Sequence, residues 1–301
     1  MIPFRPITFS DREMIRRYVY DTECRNCDLN FLNLMSWEFL YHTEMAEFKG
    51  LLLFRFLSEG QFAYLVPVGN GDWKEVLEDM IADAAQRGYP FILRGVCENS
   101  MNRLCCLNEE RFVAESDRDF SDYLYWRESL VSLAGKKLQP KRNLYNRFIK
   151  NYPDYEYLPL TPDGFDECLH LEQSWRAQKV DADFEMAMNA ERRSLHFVFQ
   201  HWEELGAEGG LIRVDGKVVA FTYGAPINYD TYGVCLEKAD TSYEGAFAAI
   251  NKEFVSRIPE NYTFVNREED LGLEGLRKAK LAYQPVVILQ KYTVRLAPTH
   301  S

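Results

Sequence analysis

One order of strands and helices occurs twice along this chain of 301 residues. In the first half, strand-like segments at residues 51–56 and 63–68 flank a Ser-Glu-Gly turn, which is typical of a hairpin. Asp72 then stands at a capping position before apolar residues spaced at i, i+3, i+4 and i+7, which predicts an amphipathic helix. A further strand is predicted at residues 91–96. This half therefore follows the order hairpin, helix, strand.

The second half repeats that order. A hairpin, a third strand, a helix face and a fourth strand are predicted at residues 210–223, 231–236, 247–258 and 262–266. The hairpin turns at Asp215-Gly216, a strong signal for a two-residue turn, and a last strand is predicted at 286–292. The repetition favours a duplicated α+β unit. Turn chemistry at 153–162 places the joint there, which predicts domains at residues 1–155 and 156–301.

A cationic segment interrupts an acidic protein. The formal net charge is -11, yet no acidic residue lies between Glu128 and Asp154. The cations of this stretch are Lys136, Lys137, Lys141, Arg142, Arg147 and Lys150. A helix is predicted after Pro140, which is acceptable in a first helical turn. Two interpretations stay open: a bridging helix with solvated charges, or a site where arginine makes a bidentate contact with phosphate or carboxylate.

Two further segments could carry chemistry. At residues 234–247 a strand passes through a polar loop into a helix, a geometry that aims backbone N–H groups at the loop mouth, and Gly245 permits close approach there; an ordinary helix cap is the alternative. At residues 264–280, polar side chains follow the carboxyl end of a strand, where ligand sites in α/β layers gather. From Leu271 onward the only acidic residue is Glu274, so a second cationic region follows, with surface salt bridges as the competing explanation.

Composition excludes several classes of protein. No run of about 18 apolar residues occurs and the amino terminus lacks the plan of a signal peptide, so we expect a cytoplasmic protein without a transmembrane segment. Seven cysteines at irregular spacings indicate reduced thiols rather than a disulfide framework, and no metal site is expected. Phosphate-loop, dinucleotide-binding and Gly-x-Ser-x-Gly motifs are absent from the sequence. DNA is not an expected partner, and the oligomeric state is left open.

The order of three motifs resembles a known family. They are Gly135-Lys-Lys-Leu with Lys141-Arg-Asn, then Glu237-Lys-Ala-Asp, and then Asn266-Arg-Glu-Glu-Asp-Leu-Gly with Gly275-Leu-Arg-Lys-Ala-Lys and Tyr283-Gln-Pro. Over essentially the whole chain, this order is similar to a bacterial family related to the carboxy-terminal domain of phosphatidylglycerol lysyltransferases. The resemblance implies two tandem acyl-CoA N-acyltransferase-like (Gcn5-related) domains, each with a mixed central sheet flanked by helices. The same arrangement occurs in peptidoglycan-bridge aminoacyltransferases.

The resemblance also implies a function. We expect transfer of an acyl or aminoacyl group to an amine or hydroxyl, with acyl-CoA or aminoacyl-tRNA as donor. From their positions in the sequence, Glu237 or Glu268 would be the base and N–H groups near Tyr243 to Gly245 would stabilise the oxyanion. Lys280, by its match to the family motif, would anchor an anion together with Arg142. The alternatives are an inert sensor of a small anionic ligand and a transfer-RNA-binding protein. The expected ligand-binding residues are Lys137, Arg142, Asn146, Tyr243, Gly245, Asn266, Arg267, Arg277 and Lys278, and the expected catalytic residues are Glu237, Glu268 and Lys280.

Overall fold

The computed structural model describes residues 1–108, 111–177 and 182–298. The helices are α1 (Arg12–Tyr20), α2 (Phe31–Ser36), α3 (Glu38–Tyr41), α4 (Trp73–Gln86), α5 (Glu98–Asn108), α6 (Arg127–Ser132), α7 (Gln139–Asn151), α8 (Phe165–Ala177), α9 (Ala182–Gln200), α10 (Trp202–Leu205), α11 (Ala246–Val255) and α12 (Glu274–Leu281). The strands are β1 (Arg5–Pro6), β2 (Glu44–Phe48), β3 (Leu51–Ser58), β4 (Gln61–Leu65), β5 (Val68–Gly69), β6 (Ile92–Val96), β7 (Phe112–Ser116), β8 (Asp122–Trp126), β9 (Glu156–Pro159), β10 (Glu208–Val214), β11 (Lys217–Pro226), β12 (Thr231–Ala239), β13 (Phe264–Asn266), β14 (Val287–Leu289) and β15 (Tyr292–Leu296).

The chain forms two compact units, each with its own mixed sheet. The first unit comprises residues 1–122, 227–229 and 288–301, and the second comprises 123–226 and 230–287. The first sheet has the order β1-β2-β3-β4-β6-β15-β7, with β5 paired to β3. The second has the order β14-β8-β13-β12-β11-β10-β9. These compact units each combine segments from distant parts of the chain. The domain boundary expected at residues 155/156 stays a prediction.

The predicted repetition is present in the connectivity of both sheets. In the first, β3 and β4 form an antiparallel hairpin, and α4 then connects β4 to the parallel strand β6. In the second, β11 and β12 are antiparallel, and α11 connects β12 to the parallel strand β13. Both sheets have tight turns with two residues at positive φ, Glu59-Gly60 before β4 and Asp215-Gly216 before β11. The mixed α+β fold class is thereby confirmed.

Each sheet includes a strand that comes from a distant part of the chain. In the first sheet, β6 pairs antiparallel with β15, and in the second β13 pairs antiparallel with β8. The single strand expected at residues 286–292 is wrong for this reason, because the chain leaves one sheet after β14 and enters the other at β15. Between them Lys291 is buried, and its Nζ lies 2.9 Å from an Asp122 carboxylate oxygen and 3.2 Å from one of Asp28.

The core of the first unit lies between its sheet and α4. The Asp72 carboxylate accepts hydrogen bonds from the N–H groups of Lys74 and Glu75, so the predicted cap is confirmed. The apolar face of the helix then buries Val76 and Met80 against the sheet. The cap satisfies N–H groups that have no partner within the helix, and burial of the apolar face supplies most of the helix stability.

In the second unit α7 and α11 approach each other at Gly245. Gly245 has φ of 89° and precedes α11, and a Cβ atom there would lie 3.0 Å from Phe148 Cβ and would overlap the carbonyl of Leu144. The helix expected after Pro140 is confirmed as α7, and the expected close approach at Gly245 is made by a helix of the protein itself. The glycine therefore permits helix packing at this position.

We expect Gly245→Ala to destabilise the protein by about 3 kcal/mol, because it adds backbone strain and overlap with α7. Gly216→Ala, at φ of 76° with open space around the added Cβ, isolates the strain and should cost only about 1 kcal/mol. Gly275→Ala lies in α12 in open space and should be neutral or stabilising. Urea unfolding of the three variants measures these differences. Equal losses for Gly245→Ala and Gly216→Ala would show that contact with α7 is unimportant.

Candidate functional site

Two parallel strands separate in the second sheet. The strand β12 pairs with β13 only from Thr231 to Gly233, although β12 continues to Ala239. A register shift in the pairing of β11 with β12 lies just beyond that point. The chain after β13 instead follows β8, since Arg267 N–H donates to the Tyr123 carbonyl at 3.0 Å and Tyr123 N–H donates to the Glu268 carbonyl at 3.2 Å. An opening therefore lies between β12 and residues 267–269, which we call the strand gap.

An ion pair crosses the strand gap on one face of the sheet. Arg267 Nη2 lies 2.9 Å from Glu237 Oε1, and the two side chains are 11% and 10% exposed. The other oxygen of Glu237 accepts a hydrogen bond from Asn251 of α11 at 3.1 Å. Because both carboxylate oxygens have donors, Glu237 is held in a fixed orientation as the counter-charge of a largely buried guanidinium.

Lys141 and two tyrosines lie beside this pair. Lys141 Nζ lies 4.4 Å from the centroid of the Tyr283 ring, and Arg267 Cζ lies 4.7 Å from the same centroid and 5.7 Å from that of Tyr125. Burial lowers the pKa of Lys141, Arg267 lowers it further and Glu237 opposes the shift. Burial also raises the pKa of the Tyr283 hydroxyl. We call these five residues, Lys141, Glu237, Arg267, Tyr125 and Tyr283, the Tyr283 cluster.

Glu268 lies on the opposite face. Glu237 contacts α11, whereas its neighbour Lys238 forms an ion pair with Glu191 of α9 at 2.5 Å. Successive strand residues point to opposite faces, so α9 and α11 cover opposite sides of the sheet. The ring of Tyr223 packs against Phe199 of α9. Burial raises the pKa of the Tyr223 hydroxyl, and the charges of Cys235, Glu191 and Glu268 add to the shift, which places Glu268 on the α9 face. The register shift at Cys235 interrupts the alternation of side chains, and burial together with the charge of Glu268 and a hydrogen bond to it raises the pKa of that thiol. Each face of the strand gap thus has its own carboxylate.

The loop after β13 is held by buried polar contacts. Lys280 Nζ donates to the carbonyls of Arg267 and Glu269, and only 8% of the residue is exposed. The ammonium group expected to anchor a ligand therefore bonds to the backbone beside the strand gap. Asp270, which is fully buried, accepts two hydrogen bonds from Arg277, at 2.8 and 2.7 Å. The Arg277 guanidinium, expected at a ligand, is bidentate on that carboxylate.

The cationic residues expected at a ligand lie in other environments. Arg142 Nη1 donates to the carbonyls of Leu133, at 2.5 Å, and of Gly135, at 3.3 Å. It closes the turn before α7, and its expected sharing of a site with Lys280 stays a prediction. Lys278 Nζ lies 2.6 Å from Glu274 on the surface of α12. Lys137 and Asn146 are exposed.

In the loop from β12 to α11, the backbone N–H group of Tyr243 bonds within the loop itself. The Tyr243 N–H, expected to face an oxyanion, donates to the Asp240 carbonyl at 3.1 Å, and its ring packs 5.2 Å from that of Tyr152. Gly245 contacts α7, as described above. Asn266 is fully buried, and its side-chain oxygen accepts the Glu268 N–H at 2.7 Å. Glu268 itself has φ of 57°, an uncommon conformation for a residue with a side chain.

Of the expected residues, the structure brings Glu237 and Arg267 together at the strand gap and places Glu268 on its other face. Sequence analysis did not select Lys141, Tyr125, Tyr283 or Asn251 as site residues. Lys141 lies inside the cationic segment and Tyr283 inside the last motif, so the sequence marks the neighbourhood of both residues. Positive charge in the sequence does not show that Lys141, rather than its neighbour Arg142, lies at the strand gap.

Two sheets with the same hairpin, helix and parallel-strand connectivity define a protein of the tandem Gcn5-related acyltransferase-like class. The chain belongs to the family described as phosphatidylglycerol lysyltransferase, C-terminal, whose model matches residues 21–295. It is 24% identical over 184 residues to an uncharacterised protein of Mycoplasmoides gallisepticum, and the match spans 58% of this chain and 56% of that protein. In the part of the chain described, no helix combines the length and apolarity needed to cross a bilayer.

Solved structures agree with this class. A conserved protein of unknown function from Bacteroides thetaiotaomicron is 51% identical, covering 99% of this chain and 100% of that one, with a TM-score of 0.95. L-PGS from Bacillus licheniformis is 17% identical over 82% of this chain and 81% of its own, with a TM-score of 0.59. FemX is 9% identical over 97% of both chains, with a TM-score of 0.61. The last two share the fold, and family and fold together indicate an acyltransferase-like or aminoacyltransferase-like kind of function.

We expect Glu237→Gln to destabilise the protein by about 3 kcal/mol, because it leaves Arg267 largely buried without its counter-charge. Glu244→Gln is the matched control, since Glu244 pairs with Arg147 at 2.5 Å where the side chains are 51% and 59% exposed. That pair should contribute less than about 1 kcal/mol. Urea unfolding followed by tryptophan fluorescence compares the two variants. Similar losses in both would contradict a special role for the pair at the strand gap.

Asp270 predicts a pH dependence of stability. Burial alone would raise its pKa, but hydrogen bonds from Arg277, Tyr123 and Gly272 hold the pKa at about 2. A carboxyl with a lowered pKa stabilises the fold above its ordinary pKa of about 4, and this contribution is lost as pH falls through about 2. We expect Asp270→Asn to lower the free energy of unfolding by about 2 kcal/mol at pH 7. The difference from the wild type should narrow between pH 5 and pH 3 in urea titrations. A difference independent of pH would contradict this account.

Proposed function

We propose that the second unit transfers an acyl group, and specifically an aminoacyl group, from an activated ester to an amine or hydroxyl. The observation that carries the proposal is the strand gap, where backbone pairing between β12 and β13 stops and a carboxylate lies on each face. Membership of the phosphatidylglycerol lysyltransferase family supports aminoacyl transfer over other acyl transfers. The FemX likeness supports the fold alone.

The chemistry requires a nucleophile, a proton acceptor and a donor for the oxyanion. The acceptor's nitrogen or oxygen forms a bond to the ester carbonyl carbon, the proton of the nucleophile passes to a base, and the ester oxygen leaves with a proton. Beyond Gly233, β13 provides no backbone partner for β12. The N–H groups on that edge of β12 can therefore donate to the carbonyl oxygen as it gains negative charge.

We assign the base to Glu268. Both oxygens of Glu237 accept hydrogen bonds, from Arg267 and Asn251, and its loss would unpair Arg267. Glu237 is therefore a positioning residue. Glu268 lies on the other face, on backbone of positive φ, and shares a hydrogen bond with the weakly acidic Cys235 thiol, which can be exchanged for one with a substrate. Lys280 is also a positioning residue, since its ammonium holds the carbonyls on either side of Glu268.

The donor proposed is aminoacyl-tRNA. The description of the family names lysyl transfer to phosphatidylglycerol, and we extend the type of reaction to this chain without fixing the amino acid. The full chain would be incubated with transfer RNA charged with radiolabelled lysine or alanine. Vesicles containing phosphatidylglycerol, free amino acids and diamines would be offered as acceptors. Acetyl-CoA with the same acceptors is the comparison donor.

Protein-dependent transfer of label from transfer RNA to one acceptor class is the expected result. Transfer only from acetyl-CoA would refute the aminoacyl donor and leave an acyltransferase. A chain that binds charged transfer RNA or another donor but transfers nothing to any acceptor would contradict catalysis and favour the inert binding module.

We expect Glu268→Gln to slow transfer by roughly 10²-fold or more with little effect on the Michaelis constant, because the amide cannot accept the proton. Glu274→Gln is the control, since Glu274 is an exposed carboxylate at the first residue of α12. Single-turnover rates with the active donor and acceptor measure both variants. Rates within twofold of the wild type for Glu268→Gln would exclude Glu268 as the base.

A further inference from the structure

The start of α7 has an unusual distribution of charge. The N-terminal end of a helix carries a partial positive charge and usually has a side-chain cap or an acidic residue in its first turn. In this 13-residue helix, which lies wholly in the described part of the chain, Leu138 provides no side-chain cap and the first turn has no acidic residue. Lys141 and Arg142 occupy this end instead. Arg142 donates to a carbonyl of the preceding turn, so Lys141 is the cation at this end whose charge can act on a ligand.

Two cationic groups near this helix end have nitrogen atoms without a hydrogen-bond partner in the described part of the chain, although Arg267 also pairs with Glu237 through Nη2. Within the described residues, Lys141 Nζ has neither a hydrogen bond nor an ion pair, and it lies over the face of the Tyr283 ring. Arg267 Nη1 is buried and, among the described residues, has no hydrogen-bond partner. A buried polar N–H without a partner costs free energy comparable to a lost hydrogen bond, so an anion that accepts from Nη1 would recover that free energy.

Both cationic groups pack against the same aromatic ring. The Tyr283 centroid lies 4.4 Å from Lys141 Nζ and 4.7 Å from Arg267 Cζ, so the two cationic centres are at most 9.1 Å apart, the sum of these distances. The Tyr283 cluster has two positive charges and one carboxylate, Glu237. One positive charge is therefore left over in a largely buried setting.

The excess charge selects the chemistry of the ligand. An aminoacyl ester carries a positively charged amino group and no free carboxylate, so the cluster would repel the transferred group itself. The anions left on a donor or an acceptor lipid are phosphates. A phosphate oxygen accepts charge-assisted hydrogen bonds from both lysine and arginine, and helix N-termini favour the same group.

We propose that Lys141 and Arg267, at the N-terminal end of α7, bind one phosphate group. Tyr283 is the wall against which both cations pack, and Glu237 orients Arg267 through Nη2 while Nη1 faces the ligand. Binding a phosphate makes and breaks no covalent bond, so the proposed site does not depend on whether the protein transfers an acyl group. Only its assignment to a phosphate of the donor or acceptor rests on the proposed function.

The test measures binding by isothermal titration calorimetry with the full chain. The probes are inorganic phosphate, adenosine 5′-monophosphate, which resembles the end of a transfer RNA, coenzyme A, and glycerol 3-phosphate, which resembles a lipid headgroup. We expect Lys141→Met, which keeps the apolar stem, to weaken binding of the preferred probe by roughly 10- to 100-fold. Lys150→Met is the matched control because it removes an exposed lysine of the same helix, and it should leave the affinity unchanged.

Arg267→Lys is the second variant. It keeps a positive charge for Glu237, so the fold should persist, but it loses the second arm of the guanidinium and should weaken binding as well. The preferred probe distinguishes the sources, since adenosine 5′-monophosphate or coenzyme A indicates a donor and glycerol 3-phosphate indicates a lipid acceptor. Phosphate binding that depends on Lys141 in a chain without transfer activity would support the site and refute the proposed function. Equal affinity of Lys141→Met and wild type for every probe, or no binding of any probe, would overturn the site whatever the transfer assay shows.

Discussion

The ion pair between Arg267 and Glu237 joins two strands at the point where their backbones stop pairing. A parallel pair that separates loses its ladder of hydrogen bonds, and an opening in a sheet exposes backbone groups that need partners. Here a charge-assisted contact of 2.9 Å crosses the opening in place of the ladder. On the other side, β8 keeps the departing chain in the sheet through Tyr123. The ion pair on one side and the hydrogen bonds to β8 on the other hold the two edges of the strand gap apart in fixed positions.

The support extends away from the sheet through the loop after β13. Lys280 and Asp270 are both buried, and each satisfies several groups of this loop. A buried charge is tolerated where hydrogen bonds replace water, as with the two carbonyls on Lys280 and the Arg277 guanidinium on Asp270. The polar residues of the last motif thus largely position one another. The hydrogen bonds of Lys280 to the carbonyls of Arg267 and Glu269 hold the backbone on both sides of Glu268.

Much of the fold follows from local patterns, and less of the site does. The Asp72 cap, the Asp215-Gly216 turn and the helix after Pro140 depend on neighbouring residues, so spacing alone predicts them. The exchange of β8 and β15 between the sheets depends on pairing between residues far apart in sequence, which periodicity does not encode. For the same reason the break between β14 and β15 was missed. Arg277 and Lys280 were expected at a ligand from their charge, and Lys280 also from its match to the family motif, but neither signal reports that Arg277 pairs with Asp270 or that Lys280 bonds to backbone carbonyls.

By itself, the sequence determined the duplicated α+β plan, the family and the two cationic regions, since each is a matter of order, periodicity and residue type. Only the tertiary structure decided which cation of each region is paired within the protein. Adjacent residues of a helix point about 100° apart, so Arg142 turns to the backbone carbonyls of the preceding turn while Lys141 faces Tyr283. Whether a charge is free for a ligand depends on what lies around it in space, and for Lys141 that is an aromatic ring and a second cation.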